Sequence, residues 1–205
     1  MSDPSLATHR ATRGATRTDA RRFFFTSIRH YLYAGDTALH LAAAAHHPDI
    51  AELLVAHGAD VHGMNRMGAT PLHYAADGNS AGPDGQARTI AYLLSAGADP
   101  NAINRLGVTP LHRAVRTRSS SAVKALLDGG ADPRKKNSGG STPLHLAVQA
   151  TGNGGSGSER ARHAQAEIIR MLLDAGATLT DRDARGRSVR ECAAKHAQRA
   201  IESRR

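Results

Sequence analysis

The sequence is poor in aromatic residues and in cysteine, two residue types that often anchor or cross-link a protein core. None of its 205 residues is tryptophan, about 3% are aromatic, and Cys192 is the single cysteine. One cysteine excludes an internal disulfide and suits a reducing compartment, so we expect a cytoplasmic location. No apolar run approaches the roughly 20 residues of a membrane span, which argues against a transmembrane protein.

Several signatures of catalysis and export are also missing. The glycine-rich residues 152–157 follow a predicted helix and lack a downstream Gly-Lys-Ser/Thr, so they do not form a phosphate-binding loop. Two arginines at residues 21–22 resemble an export signal, but Arg29 interrupts the apolar region too early for one. Aromatic residues are not interleaved with basic ones as they are in single-strand nucleic-acid binders.

The chain does contain an internal repeat. Thr-Pro-Leu-His occurs at residues 70–73, 109–112 and 142–145, and Thr-Ala-Leu-His at residues 37–40. The step from the first copy to the second equals the step from the third to the fourth, so the basic period is about 33 residues. A Gly-Ala pair follows each copy, and the interval from its alanine to the next Thr or Ser is constant: Ala59 to Thr70, Ala98 to Thr109, Ala131 to Thr142 and Ala177 to Ser188. The variable length therefore lies between the two markers of one unit.

One unit can be interpreted physically from residues 104–136. Thr109 is suited to cap a helix, and Pro110 to occupy its first position, where no backbone N–H is needed. A second apolar helix is predicted from Ser121 to Gly130, which suits a left-handed helix end. Such a unit cannot bury its apolar face alone, so neighbouring units must stack.

With its period near 33 and this motif, the sequence resembles the ankyrin-repeat family. The resemblance implies an all-α solenoid of helix-turn-helix-hairpin units, about four repeats with caps. The predicted segments are a disordered basic leader (1–19), an amino-terminal capping helix (20–34), four repeats (35–64, 65–103, 104–136 and 137–181) and a degenerate repeat acting as the carboxy-terminal cap (182–205). The excess of arginine over lysine, 23 to 4, indicates a stand-alone bacterial member.

Two repeats contain Gly/Ser-rich insertions, about 77–88 and 151–164, at the turn between their helices. Both are predicted to be loops. Insertions on one face of a solenoid are often functional, but loop lengthening is also thermodynamically cheap. Both interpretations stay open.

The amino-terminal segments leave similar alternatives. The leader could be a transit peptide, although Asp3 and Asp19 interrupt its basic pattern. The helix predicted over residues 20–34 should cover the first repeat, and its alternative role is binding to a partner or a membrane surface.

Twelve histidines raise the question of a metal site. In ankyrin repeats the motif threonine and histidine are structural, which assigns that role to Thr37, His40, Thr70, His73, Thr109, His112, Thr142 and His145. Neighbouring copies should lie about 10 Å apart, too far to share a zinc ion. His46–His47 as a weak metal site and Cys192–His196 as a catalytic pair are the alternatives. We predict no metal, cofactor or catalytic residue.

The net charge of +9 lies mostly in the two ends of the chain. Residues 1–30 and residues 181–205 each have a net charge of +4. Basic ends can hold nucleic acid or an acidic surface. We treat nucleic-acid association as the alternative function, and solvation of the ends as the simpler interpretation.

The family resemblance implies a non-catalytic module that binds a protein partner through its concave face, and we expect a monomer without membrane association. The hairpins place a basic residue, often beside an apolar one, along that face, which suggests an acidic partner. The predicted partner-binding residues are Arg66, Met67, Arg105, Leu106, Arg116, Thr117, Lys135, Lys136, Ser138, Gln149, Arg185 and Arg187.

Overall fold

The computed structural model describes residues 5–16, 20–26, 30–78, 83–149, 157–193, 197 and 201–202. Within them the dominant feature is a row of four helix pairs: α2 (Ala38–Ala44) and α3 (Pro48–Ala56), α4 (Pro71–Ala75) and α5 (Pro83–Ser95), α6 (Pro110–Arg116) and α7 (Ser120–Asp128), α8 (Pro143–Ala147) and α9 (Glu159–Asp174). Two short helices, α1 (Ser5–Thr8) and α10 (Val189–Cys192), flank the row. The predicted all-α solenoid is confirmed.

First helices pack on first helices and second helices on second helices along the stack. Each first helix buries its motif leucine completely: Leu39, Leu72, Leu111 and Leu144. The second helices add fully buried branched residues such as Ile90 and Ile169, and all belong to one continuous core. None of the helices described is long and apolar enough to cross a membrane.

A ladder of backbone hydrogen bonds joins the hairpins that precede successive helix pairs. Each hairpin donates one N–H to a carbonyl of the hairpin before it: Arg66 to Ala34 (2.7 Å), Arg105 to Met67 (3.0 Å), Ser138 to Leu106 (2.9 Å) and Ala184 to Gly139 (3.1 Å). The ladder sets the spacing of the hairpin tips, and thereby the position of the residues that point into the concave face.

Glycine is required where the tips approach most closely. Gly140 has a φ of +72°, and a Cβ built there would lie 2.4 Å from the backbone nitrogen of Ala184. Gly107 has the same left-handed geometry against Ser138. A side chain would therefore be strained by its own backbone and would collide with the next repeat.

The predicted amino-terminal helix over residues 20–34 is wrong. A 3₁₀ turn at Ala20–Phe23 leads into an antiparallel pair of two-residue strands, β1 (Phe24–Phe25) and β2 (His30–Tyr31). Phenylalanine and tyrosine favour strands, and the extended backbone here finds hydrogen-bond partners that a helix would not offer. The Leu32 N–H donates to the carbonyl of Phe23 at 2.9 Å. Residues 27–29 lie outside the described residues.

The prediction of a disordered leader is also wrong for residues 5–16. The Ala11 N–H donates to the Asp36 carbonyl, and the Gly35 N–H to the Ala11 carbonyl, both at 2.7 Å. Ala7 and Ala15 are buried. Small side chains allow this segment to lie against the first repeat, so hydrogen bonding orders a sequence with almost no large apolar residue. The rest of the predicted leader, residues 1–4 and 17–19, lies outside the described residues.

Both predicted insertion loops are shorter than expected, because the second helices extend into them. Helix α5 begins at Pro83 and α9 at Glu159, so residues 83–88 and 159–164 are helical. Ser158 caps α9 by accepting from the Ala161 N–H at 3.2 Å. Local helix-start chemistry thus prevails over the Gly/Ser-rich composition. The insertion residues 79–82 and 151–156 lie outside the described residues.

A buried glutamine replaces a backbone donor in each repeat with an insertion. In the other two repeats a tight turn lets a backbone N–H bond to the first helix: His47 to Ala42 and Ser119 to Ala114, both 3.1 Å. In the repeats with insertions, a glutamine side-chain amide donates instead to the equivalent carbonyl and also to the carbonyl two residues further along. Gln86 donates to Ala75 and Asp77 (3.0 and 3.2 Å), and Gln165 to Ala147 and Gln149 (both 2.6 Å). The insertion thus leaves the helix end satisfied.

We therefore expect Gln165→Leu to lower the free energy of unfolding by about 1–3 kcal/mol, because two carbonyls near the end of α8 would lose their donor. Urea denaturation of both proteins measures the difference. Gln149→Leu, the same change at an exposed position, is the control and should shift stability by less than about 0.5 kcal/mol. Equal effects of the two substitutions would contradict this role of Gln165.

Candidate functional site

The motif histidines and threonines form a capping box at the start of each first helix. Each threonine N–H donates to Nδ1 of the histidine three residues later, at 3.1–3.2 Å: Thr37 to His40, Thr70 to His73, Thr109 to His112 and Thr142 to His145. A histidine thus takes the place that glutamate or glutamine has in the usual box. In α10 the box has its usual acid, since the Ser188 N–H donates to Glu191 at 2.6 Å.

The other ring nitrogen ties each repeat to the next one. Nδ1 is an acceptor, so Nε2 carries the proton and donates to a carbonyl of the following hairpin. These bonds run from His40 to Ala69 (3.1 Å), His73 to Val108 (2.9 Å), His112 to Ser141 (2.9 Å) and His145 to Arg187 (3.4 Å). Both nitrogens are therefore occupied by structural bonds in the neutral ring.

Burial disfavours the charged form of His40, His73 and His112. It lowers the pKa of His40 and His112, and that of His73 to about 3, where the nearby Arg113 adds to the effect. His46, of the alternative metal pair, is buried and places Nε2 3.0 Å from the Asp77 carbonyl. Within the described ranges no three metal-ligating side chains cluster. His196 of the alternative catalytic pair lies outside those ranges.

A groove of about 390 Å³ lies on the side of the stack formed by the hairpin tips and first helices. Its floor is made by α4 and α6, through Tyr74, Arg113 and Arg116. One wall is made by the hairpin tips, including Met67 and Leu106. The amino-terminal hairpin forms a further wall with His30, Tyr31 and Tyr33. Apolar and cationic groups thus line the same cavity.

Asp77 contacts three basic side chains of the groove. Its Oδ2 lies 3.3 Å from His30 Nε2 and within hydrogen-bond distance of the Arg113 guanidinium, and its Oδ1 lies 3.5 Å from Arg116. Burial alone would raise the pKa of Asp77, but the hydrogen bond from His30 and the charge of Arg113 outweigh it and hold that pKa below its usual value. The carboxylate therefore stays charged and holds His30 and Arg113 in place.

A second buried network supports the floor from beneath. The Tyr74 hydroxyl donates to the Asp36 carboxylate at 2.8 Å, and Asn65 Nδ2 donates to the same carboxylate at 2.8 Å. The Tyr33 N–H completes the set at 2.6 Å. Burial and then the charge of Asp36 raise the pKa of Tyr74, so the hydroxyl keeps its proton. Because Asp36 precedes α2 while Tyr74 lies on α4, the network joins the first two repeats.

The structure brings only some of the predicted partner-binding residues together. Met67, Leu106, Arg116 and Thr117 line the groove. The others lie elsewhere: Lys135 lines a separate cavity beside Ile103, Lys136 donates to the Arg182 carbonyl, the Arg66 guanidinium donates to the Ala15 carbonyl, Arg187 pairs with Asp183, and Arg105, Ser138, Gln149 and Arg185 are exposed outside the lining.

Sequence reasoning missed the polar residues that build the site, namely Asp36, Asn65, Tyr74, Asp77 and Arg113. One signal was available: an amide or acid recurs five residues before every motif Thr or Ser except Thr37, as Asn65, Asn104, Asn137 and Asp183. Each of these side chains accepts the N–H groups two and four residues later, which shapes the hairpin tip. No comparable signal marks Asp77, which meets its partners only in the folded stack.

Comparison with known proteins agrees with this architecture. A family model described as "Ankyrin repeats (3 copies)" matches residues 18–101 and 81–183. The NF-kappa-B inhibitor cactus of Drosophila yakuba and that of Drosophila melanogaster are each 49% identical to this chain over 47 residues. Those matches span 22% of this chain and only 10% and 9% of the two relatives. Because the family model covers well over half of its residues, the chain belongs to the ankyrin-repeat family.

Proposed function

We propose that the protein is a non-catalytic module that binds a partner protein through the concave face formed by its hairpin tips and first helices. Ankyrin repeats are generally protein-interaction modules, and the cactus proteins are named as inhibitors of another protein. One observation carries the choice of face: the groove combines exposed apolar side chains with arginine. Leu106 has 59% of its surface exposed, and the Arg116 side chain 68%. Arginine beside apolar groups is a common anchor composition in protein interfaces.

The experiment is purification of the tagged protein from its own cells, with and without nuclease, for the wild type and for charge-reversed variants. Arg105→Glu and Arg116→Glu change the concave face at two exposed side chains. Arg88→Glu is the matched control, because this side chain lies on the second helix α5, away from the groove lining, is 67% exposed and also forms one exposed ion pair. Arg66 is left unchanged, since its guanidinium holds the amino-terminal segment.

We expect a stoichiometric, nuclease-resistant partner whose recovery falls about tenfold or more with Arg105→Glu plus Arg116→Glu, and stays the same with Arg88→Glu. Purified components and titration would then give the change in Kd directly. Recovery that is unaffected by the concave-face variant would contradict the proposed face. Recovery that disappears with nuclease would favour the alternative function, nucleic-acid association through the basic ends.

A further inference from the structure

Most of the chain's phenylalanine and tyrosine residues lie in or beside the amino-terminal hairpin, and three of them are exposed. Five of the seven phenylalanines and tyrosines lie within residues 23–33. Phe24, Phe25 and Tyr31 each keep more than a third of their surface exposed. The Tyr31 ring contacts those of Phe24 and Tyr33, with ring centres 4.8 and 6.4 Å apart. An exposed aromatic cluster in a chain so poor in aromatics indicates a contact surface.

His30 fixes this hairpin to the floor of the groove. Its ring stacks on Tyr74 with centres 4.1 Å apart, while its Nε2 lies 3.3 Å from the Asp77 carboxylate. The same carboxylate binds Arg113 and lies near Arg116. A single acid therefore holds the hairpin and the two arginines in one arrangement, although the hairpin and α6 are separated in the sequence by two complete helix pairs.

The charged side chains of the groove differ in how much of their surface is exposed to solvent. Arg113 is nearly buried, with 13% of its side chain exposed, and is committed to Asp77. Arg116 is 68% exposed, and its 3.5 Å approach to Asp77 leaves most of the guanidinium in solvent. Asp77 is itself 17% exposed. An incoming anion therefore meets Arg116 first, because its side chain is by far the most exposed of the three.

We propose that this groove binds a short acidic peptide segment of the partner. A carboxylate of the peptide pairs with Arg116, and an adjoining apolar or aromatic side chain packs between the tyrosines of the hairpin and Leu106. This inference rests on the proposed protein-binding function and specifies the ligand for it. A volume of about 390 Å³ accommodates a few side chains. One available cation beside the partly buried Asp77 suits one or two carboxylates rather than a run of phosphates, which needs several cations.

The test uses the whole 205-residue chain and a random-peptide display library as the probe. We expect the recovered peptides to be enriched in Asp or Glu next to an apolar residue. A synthetic copy of the strongest peptide, followed by fluorescence anisotropy, should bind about tenfold more weakly to Arg116→Glu and to Tyr31→Ala. Arg88→Glu should stay within about twofold of the wild type. Thermal unfolding of each variant checks that the fold is retained.

Three outcomes would overturn the inference: no recovered peptide, recovered peptides without acid enrichment, or affinity unchanged by Arg116→Glu. A fourth outcome, displacement of the peptide by a single-stranded oligonucleotide at similar concentration, would overturn it as well, because the groove would then bind polyanions in general. The results also distinguish a failure of this inference from a failure of the proposed protein-binding function. A native partner that depends on Arg105 and Arg116 while acidic peptides do not bind refutes only this inference, whereas a partner indifferent to both arginines refutes the proposed face.

Discussion

Acidification from pH 7.5 to pH 5 should lower the free energy of unfolding by at least about 2 kcal/mol. The folded-state pKa of His73 is about 3, whereas an unfolded histidine titrates near 6.5. Below pH 6.5 the unfolded His73 therefore binds a proton that the folded His73 does not bind, and stability falls as the pH drops below about 6.5. His73 alone accounts for about 2 kcal/mol at pH 5 by linkage. His40 and His112 act in the same direction, because burial lowers their pKa too.

The pH window distinguishes the histidines from the carboxylates. Interactions in the folded state lower the pKa of Asp77 and Asp183, so their contribution is present above an unfolded pKa near 3.8 and is lost only below it. Urea denaturation at pH 7.5, 6 and 5 therefore isolates the histidine contribution. His73→Gln should be less stable at pH 7.5, but its stability should fall by about 2 kcal/mol less on going to pH 5. An unchanged pH dependence in that variant would contradict the assignment.

Tyr74→Ala should lower the free energy of unfolding by about 3–5 kcal/mol, the largest effect of any single substitution proposed for this protein. The ring is 1% exposed, stacks on His30 and makes an edge contact with His40, whose ring centre lies 5.1 Å away. The hydroxyl donates to the buried carboxylate of Asp36. Truncation would leave both a cavity and an under-bonded charge.

Tyr74→Phe separates these two contributions. It keeps the ring and removes only the hydroxyl. We therefore expect the free energy of unfolding to fall by about 1.5–3 kcal/mol, the range for a hydrogen bond to a charged group. Urea denaturation at pH 7.5 measures both variants. Tyr92→Phe makes the same chemical change on a half-buried ring of α5 and should alter stability by less than about 0.5 kcal/mol. A Tyr74→Phe protein as stable as Tyr92→Phe would show that the Asp36 network adds nothing.

The sequence predicts the fold well because each repeat encodes its own helix starts and ends. Thr109, Pro110 and Gly130 act within a few residues of their own position, so their meaning does not depend on the rest of the chain. The amino-terminal hairpin was misjudged for the opposite reason. The spacing of Phe24, Tyr31 and Leu32 suits a helix, but the hydrogen bonds that decide its conformation come in part from Ala15 and its neighbours.

The site was only partly predictable, because its members meet through stacking. His30, Asp77 and Arg113 lie in three different segments of the chain, and no periodic pattern links them. The sequence left open whether the insertion that contains Asp77 is functional or merely tolerated, and in the folded stack this residue contacts His30, Arg113 and Arg116. Conversely, Lys135 and Arg187 follow the hairpin pattern of basic residues but face other surroundings. The repeat period predicts which hairpin a residue belongs to, but not which way its side chain faces.

The row of histidine bonds gives the molecule a direction. Each motif histidine donates a hydrogen bond to the hairpin that follows its own repeat, so each repeat is bonded to the next one along the chain. At the amino-terminal end, the Asp36 network and the extended segment around Ala11 add further hydrogen bonds to the first repeat. At the other end the last bond, from His145 to Arg187, is the longest of the four at 3.4 Å. Among the described residues, each repeat is therefore held by the one that follows it, and the groove is lined by Ala69 and Val108, whose carbonyls accept from His40 and His73.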